Sequence, residues 1–305
     1  MAKRTDLLDP ETINRAEALG LHARYVVEGY MAGEHKSPFR GFAVEFTQHR
    51  EYVPGDDIRH LDWKVLGRTD RYYLKQYEQE TNYVAHVVLD GSESMKYGSL
   101  GRPGGATVTK LQYGKMLAAC LSYLILHQRD AVAVGVFDTL MKSFVPRTGN
   151  LASIHNIMTT LAGFDPVGQT SIGSVLHTLA GQIKRKGITL LISDLFDDEE
   201  KILDGVQHLR FGGSEVIVFH VMDPHELEFP FSGMVEFEGL EATDKILTRP
   251  REIRKSYLRE VEAFRTKIRE GCERQNSHYQ LVNTAHPLHE MLSGYLACRL
   301  RTHTR

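Results

Sequence analysis

The stretch Tyr83-Val84-Ala85-His86-Val87-Val88-Leu89-Asp90-Gly91-Ser92-Glu93-Ser94-Met95 decides how the rest of the chain is read. Val84–Leu89 is an almost uninterrupted apolar run, the pattern of a strand buried on both faces. Asp90 stands at its C-terminal end, and in open α/β sheets that edge is where ligands bind. The spacing D-x-S-x-S puts one carboxylate and two hydroxyls on a tight loop. These are hard oxygen donors of short reach. They suit a small hard cation such as Mg²⁺, with Mn²⁺ as the alternative.

Working outward, the same texture recurs. Tyr113, Leu117, Cys120, Leu121 and Leu124 form one helical stripe, and Ala131–Phe137 is a second buried run with Met141–Val145 as a short partner strand. Ile154, Ile157, Met158 and Leu161 make a further helical stripe, as do Ile172, Val175, Leu176, Leu179 and Ile183. Ile188–Ile192 reads as a strand, Ile202–Leu209 as a helix and Val216–Val221 as a strand. This alternation predicts an α/β fold, a mostly parallel sheet with helices on both faces. An insertion with a small strand is expected at about 224–250. Ile253, Tyr257, Val261, Phe264, Ile268 and Cys272 then predict a helix with an Arg/Lys-rich outer face, followed by a last strand at Tyr279–Val282 and a last helix at Leu288–Leu300. Upstream, Pro10–Val27 reads as a helix and Gly41–Phe46 and Tyr72–Tyr77 as strands. The expected organisation is a small α+β segment over residues 1–82, packed on a core domain of 83–305.

Two other strand ends add donors to the first loop. Asp194 follows Ile188–Ser193, and Thr170 lies in Gly168-Gln169-Thr170-Ser171 just before a helix. All three loops should open on one edge of the sheet. The D-x-S-x-S…T…D pattern resembles the metal-ion-dependent adhesion site of von Willebrand factor A domains. The resemblance implies a von Willebrand factor A-like, Rossmann-type fold. It also implies Asp90, Ser92, Ser94 and Thr170 as direct ligands, with Asp194 binding directly or through a water. The plainer reading is that Ser92 and Ser94 cap the next turn and Asp194 caps a helix starting near Asp197.

A second resemblance lies upstream. Gly33-Glu34-His35-Lys36-Ser37-Pro38, Gly41-Phe42-Ala43-Val44-Glu45-Phe46, Arg50-Glu51-Tyr52-Val53-Pro54-Gly55-Asp56-Asp57-Ile58-Arg59 and Leu61-Asp62-Trp63 look like the domain of unknown function 58 family. There such a segment runs directly into a von Willebrand A-type domain. The resemblance implies association with a MoxR-type AAA+ ATPase. Within the segment, Arg50, Asp56, Arg59, Asp62 and the single tryptophan, Trp63, crowd together. Arg–Asp forks around a tryptophan plate would lock the segment against the sheet. The same residue types also dominate docking surfaces. The packing role is the expectation.

Composition narrows the function. With 37 Lys+Arg against 39 Asp+Glu the formal charge is −2, which gives no case for nucleic acid. The three cysteines form no CxxC pair, and Met116–Leu126, the longest apolar stretch, is too short to span a bilayer. The start, MAKRTDLLDPETINR, lacks a signal-peptide pattern, so the expectation is a cytoplasmic protein without a membrane span. Gly98–Lys110 is glycine-rich but not a P-loop, and Ser94 stands where G-x-S-x-G needs its second glycine. An aspartate-nucleophile phosphatase would need an acid where Ser92 stands, and the three loops offer no spare His or Lys as a base. The expected function is a metal-dependent protein-binding module whose Mg²⁺ captures an Asp or Glu of a partner. The alternative is a metal-dependent hydrolase, a phosphatase or esterase, on the same edge.

Overall fold

The computed structural model describes residues 44–51, 63–69, 71–79, 84–101, 107–127, 130–166, 168, 171–183, 187–239, 245–292 and 294–295. Contacts gather the chain into two units that divide between Asn82 and Tyr83. In the smaller unit, β1 (Val44–Glu51) and β2 (Tyr73–Gln79) pair antiparallel, with a register shift between Phe46 and Gln48, and α1 (Trp63–Thr69) lies between them in sequence.

The larger unit is built on β3 (Val84–Asp90), β6 (Ala131–Phe137), β7 (Met141–Thr148), β8 (Gly187–Ser193), β9 (Glu215–Met222) and β12 (His278–Asn283). These six strands lie in the order β12-β9-β8-β3-β6-β7. All neighbours are parallel except β7, which returns antiparallel along β6. Counted along the chain from β3 the order is 3-2-1-4-5-6, the doubly wound arrangement. The winding reverses between β3 and β8, so a crevice is expected outside their C-terminal ends. Every residue of β6, β8 and β9 is buried, as helices on both faces require. The exposed edge strand β7 alternates instead.

Successive strand residues feed opposite cores, the period of two that a pleated strand imposes. Leu89, Val134, Ile192 and Phe219 pack under α2 (Lys110–His127) and α3 (Ile154–Ala162), with Leu288 and Leu292 of a helical turn at 288–292. Val88, Phe137, Leu191 and Val218 pack under α4 (Ile172–Gln182), α5 (Glu199–Phe211) and α7 (Pro250–Arg274). A Cβ on Gly114 would sit 2.8 Å from Leu89, so glycine there lets α2 lie tightly over the first strand. The short strands β4 (Leu100–Gly101) and β5 (Thr107–Val108) pair ahead of α2.

The insertion is more than the one small strand expected. It holds α6 (Pro224–Glu228) and a hairpin of β10 (Val235–Glu238) and β11 (Lys245–Thr248). Phe229, Phe231 and Phe237 form an aromatic cluster at its base. The expected helix over Pro10–Val27 and the end of the last helix lie outside the described residues. Among the described residues no helix is long and apolar enough to cross a membrane.

Candidate functional site

The first loop is shaped by its own backbone. The Gly91 N–H donates to the Phe137 carbonyl across the β3–β6 pair at 2.6 Å. A Cβ on Gly91 would fall 2.2 Å from the Phe164 ring, so only glycine permits this turn. Ser92 then donates its N–H to Asp90 Oδ1 at 2.9 Å. Ser92 opens the 3₁₀ turn Glu93–Lys96, yet its hydroxyl goes to Ser94, Oγ to Oγ 3.0 Å. Glu93 points elsewhere and pairs with Lys96 at 3.0 Å. The helix near Asp197 is capped by Asp198, whose Oδ1 accepts from Glu200 and Lys201, and not by Asp194. The plainer capping reading therefore does not account for Ser92 or Asp194.

The loops from neighbouring strands interlock with the first. Ser193 Oγ donates to Asp90 Oδ2 at 2.6 Å and accepts the Leu195 N–H at 2.9 Å. The Glu93 N–H donates to the Gly168 carbonyl at 3.0 Å, and the Ile172 N–H to Asp197 Oδ2 at 2.8 Å. Thr170 itself lies outside the described residues, but residues on either side of it are tied to the first and third loops. Asp90, Ser92, Ser94 and Asp194 are thus brought together at the reversal of the sheet, all nearly or fully buried.

Lys110, the first residue of α2, also belongs to the cluster. Its Nζ lies 2.7 Å from Asp194 Oδ2 and 2.7 Å from Glu226 Oε1 of α6. Burial works against its charge, but Asp194 and Glu226 hold its pKa above the ordinary lysine value. Lys110 stands on α2 beside these loops, engaged by both carboxylates. A sequence signal existed: a lysine in the first turn opposes the helix dipole and needs carboxylate partners. Burial and the nearby Asp194 charge push Asp90 up to about 7, against hydrogen bonds from Ser193 and Ser92 that favour its ionised form. His220 is buried below, its Nδ1 2.7 Å from the Tyr279 hydroxyl, and burial lowers its pKa to about 4.

Two more strand ends carry aspartates that the sequence reading passed over. Asp138 follows β6, accepts the Leu140 N–H at 3.1 Å and pairs with Lys142 at 3.2 Å. Asp223 follows β9, caps α6 in a capping box with Glu226, and accepts the Ser99 N–H at 2.9 Å. Every parallel strand from β3 to β9 thus ends on an aspartate, a repetition visible in VVLD, GVFD, LISD and HVMD.

The upstream cluster is placed only in part. Arg50 lies in β1 opposite Leu74, while Asp56, Arg59 and Asp62 lie outside the described residues. Trp63 opens α1, with 66% of its surface exposed.

Oxygen ligands for a cation are available at the first loop. Octahedral Mg²⁺–oxygen distances of about 2.0–2.1 Å set adjacent ligand oxygens about 3 Å apart. The Ser92 and Ser94 hydroxyls match that spacing beside a buried carboxylate. Among the described residues no group of three or more His, Cys, Asp or Glu is arranged to hold a metal. A cation here would rest on hydroxyls as much as on carboxylates.

Strand order and strand-end loops define a von Willebrand factor A-like α/β protein. The chain belongs to the family described as protein of unknown function DUF58, which it matches over residues 48–267. An uncharacterized protein of Mycobacterium tuberculosis, strain H37Rv, is 24% identical over 244 residues, which cover 78% of this chain and 74% of that protein. Among solved structures, the conserved hypothetical protein BatB from Bacteroides thetaiotaomicron is similar at 17% identity and a TM-score of 0.44, over 72% of this chain and 99% of that one. The SpRpn10 VWA domain is similar at 11% identity and a TM-score of 0.38, over 70% and 94% of the two chains.

Proposed function

We propose that this protein is an interaction module that uses a divalent cation, Mg²⁺ by preference, to capture a carboxylate of a partner protein. The reading is carried by the Ser92–Ser94 hydroxyl pair, 3.0 Å apart and set against buried Asp90. Asp90, Ser92 and Ser94 would hold the ion. Thr170 would complete the set from the second loop, and Asp194, engaged by Lys110, would act through a water. The ion supplies an electrophilic centre that attracts one more carboxylate.

The charge inventory supports this role. Asp90, Asp194 and Glu226 against Lys110 leave two negative charges, which a divalent ion neutralises. Neither nearby base supports the hydrolase alternative. Lys110 is held charged between two carboxylates, and His220 is buried against Tyr279. The partner proposed is a MoxR-type AAA+ ATPase, on the strength of the family resemblance. Titration calorimetry with Mg²⁺ tests the metal, with binding expected in the wild type and absent in Asp90→Ala. Association with the ATPase is then measured in Mg²⁺ and in EDTA. Equal affinity in both conditions, or Mg²⁺-dependent hydrolysis of phosphatase or esterase substrates, would overturn the proposal.

A further inference from the structure

Two glycines let α4 and α5 pack closely. A Cβ on Gly205 would fall 2.8 Å from Leu176 Cβ, and one on Gly173 would fall 2.9 Å from Lys201 Cβ. The approach brings His177 of α4 against α5, where Asp204 and His208 stand one turn apart on one face. His177 Nδ1 lies 2.7 Å from His208 Nδ1, and His177 Nε2 lies 3.1 Å from Asp204 Oδ2. The two imidazoles are tilted 49° to each other and are not stacked. His177 is half-buried, and Asp204 and His208 are exposed.

The proton positions follow from the donor chemistry. A carboxylate oxygen can only accept, so Asp204 takes the Nε2–H of neutral His177. That leaves the His177 Nδ1 lone pair aimed at the second ring, and His208 Nδ1–H donates to it. Two imidazole nitrogens thus converge with one proton between them, and a carboxylate fixes the tautomer of the first ring. A carboxylate that holds the far N–H of a histidine is the partner that orients imidazole toward a metal. Zn²⁺–nitrogen bonds of about 2.0–2.1 Å in a tetrahedral shell set two such nitrogens about 3.3 Å apart. From 2.7 Å, the two solvent-reaching rings need part by only about half an ångström. His208 then carries its proton on Nε2 instead of Nδ1, exchanged through water, and both rings stay neutral.

We infer that His177 and His208 are the ligands of a divalent transition ion of the Zn²⁺ and Cu²⁺ class, with Asp204 as the carboxylate that orients His177. Imidazole selects such ions over Mg²⁺, which prefers oxygen. Among the described residues no group of three or more His, Cys, Asp or Glu forms a shell, so waters fill the remaining positions. The ion clips α4 to α5, the helices that follow the second and third strand-end loops. It uses none of Asp90, Ser92 and Ser94, so the inference stands or falls apart from the proposed Mg²⁺ site.

The test uses the whole protein, stripped with EDTA and titrated with Zn²⁺ by calorimetry. Wild type should bind one Zn²⁺ that the double variant His177→Ala, His208→Ala does not. Asp204→Asn should weaken the binding about 10-fold or more, the loss typical of an orienting partner. Cu²⁺ bound in the same place should show the nitrogen hyperfine splitting of two imidazoles in wild type and in Asp204→Asn, and of one in His208→Ala. In EDTA all variants should unfold near the wild-type midpoint, because the substituted side chains reach solvent. Zn²⁺ should raise that midpoint in wild type and not in the double variant. Asp90→Asn, which tests the Mg²⁺ site, should bind Zn²⁺ like wild type. The inference is overturned if wild type binds no Zn²⁺, if the double variant binds it as tightly, if Asp204→Asn leaves the affinity unchanged, or if excess Mg²⁺ displaces the ion.

Discussion

The ends of β3 and β8 differ from the ends of β6 and β9, although all four carry an aspartate at the same place. Asp138 and Asp223 are used up locally. One closes the β6–β7 turn and pairs with Lys142; the other caps α6 and fastens Ser99. Asp90 and Asp194 sit at the reversal of the sheet and face each other's charge. Asp90 accepts from the Ser92 N–H and the Ser193 hydroxyl, while Asp194 has Lys110. A strand-end carboxylate is thus tied to its own helix or turn at the ends of β6 and β9, and to groups on other strands and helices where the winding reverses.

Lys110 offers the strongest way to break this contrast. It is buried between Asp194 and Glu226, so Lys110→Ala strands two carboxylates in a water-poor site. Removing one partner of a buried ion pair costs about 3–5 kcal/mol. Urea unfolding in EDTA should show that loss, and added Mg²⁺ should recover part of it by supplying the missing positive charge. A loss below about 1 kcal/mol would mean the pair is not formed in solution.

Next comes Asp223→Ala, which removes the α6 cap and leaves the Ser99 and His225 N–H groups without their acceptor. A cost of about 2–3 kcal/mol is expected from the lost cap and the unsatisfied donors. Asp138→Ala should cost less, about 1 kcal/mol, because Lys142 is half exposed and its pairing is weakened by water. Neither change removes a residue that would hold the cation, so the affinity for Mg²⁺ should fall far less than in Asp90→Asn. Calorimetric titration of both variants decides whether the two pairs of aspartates are separable.

Much of this arrangement was legible in the sequence. The apolar runs at Val84–Leu89, Ala131–Phe137 and Val216–Val221 identify strands buried on both faces, because they are short and rich in β-branched valine. The helix stripes follow from their spacing, and Asp90 and Asp194 from their place after the strands. Lys110 was hidden because its partners lie 84 and 116 residues away, on loops that only the folded sheet brings together. Leu195 was hidden for a different reason: nothing in a leucine announces a positive φ.

The smallest effect on stability is expected at the residue most important to the proposed function. Asp90 is fully buried, and both burial and Asp194 penalise its charge. Asn has the same shape and can still accept the Ser92 N–H through its carbonyl oxygen. Its amide can face Ser193 Oγ, which then accepts instead of donating. Asp90→Asn therefore removes a costly buried charge while keeping the loop's hydrogen bonds. Its stability in EDTA should lie within about 1 kcal/mol of wild type, or above it. Its affinity for Mg²⁺ should fall at least 100-fold, since a neutral amide replaces the only carboxylate of the first loop that faces the serine pair. The pair of measurements sets this residue apart from Asp223, where stability falls and metal binding stays. If Asp90→Asn unfolds as readily as Asp223→Ala and binds Mg²⁺ like wild type, then Asp90 is one more structural cap, and the contrast between the strand ends does not exist.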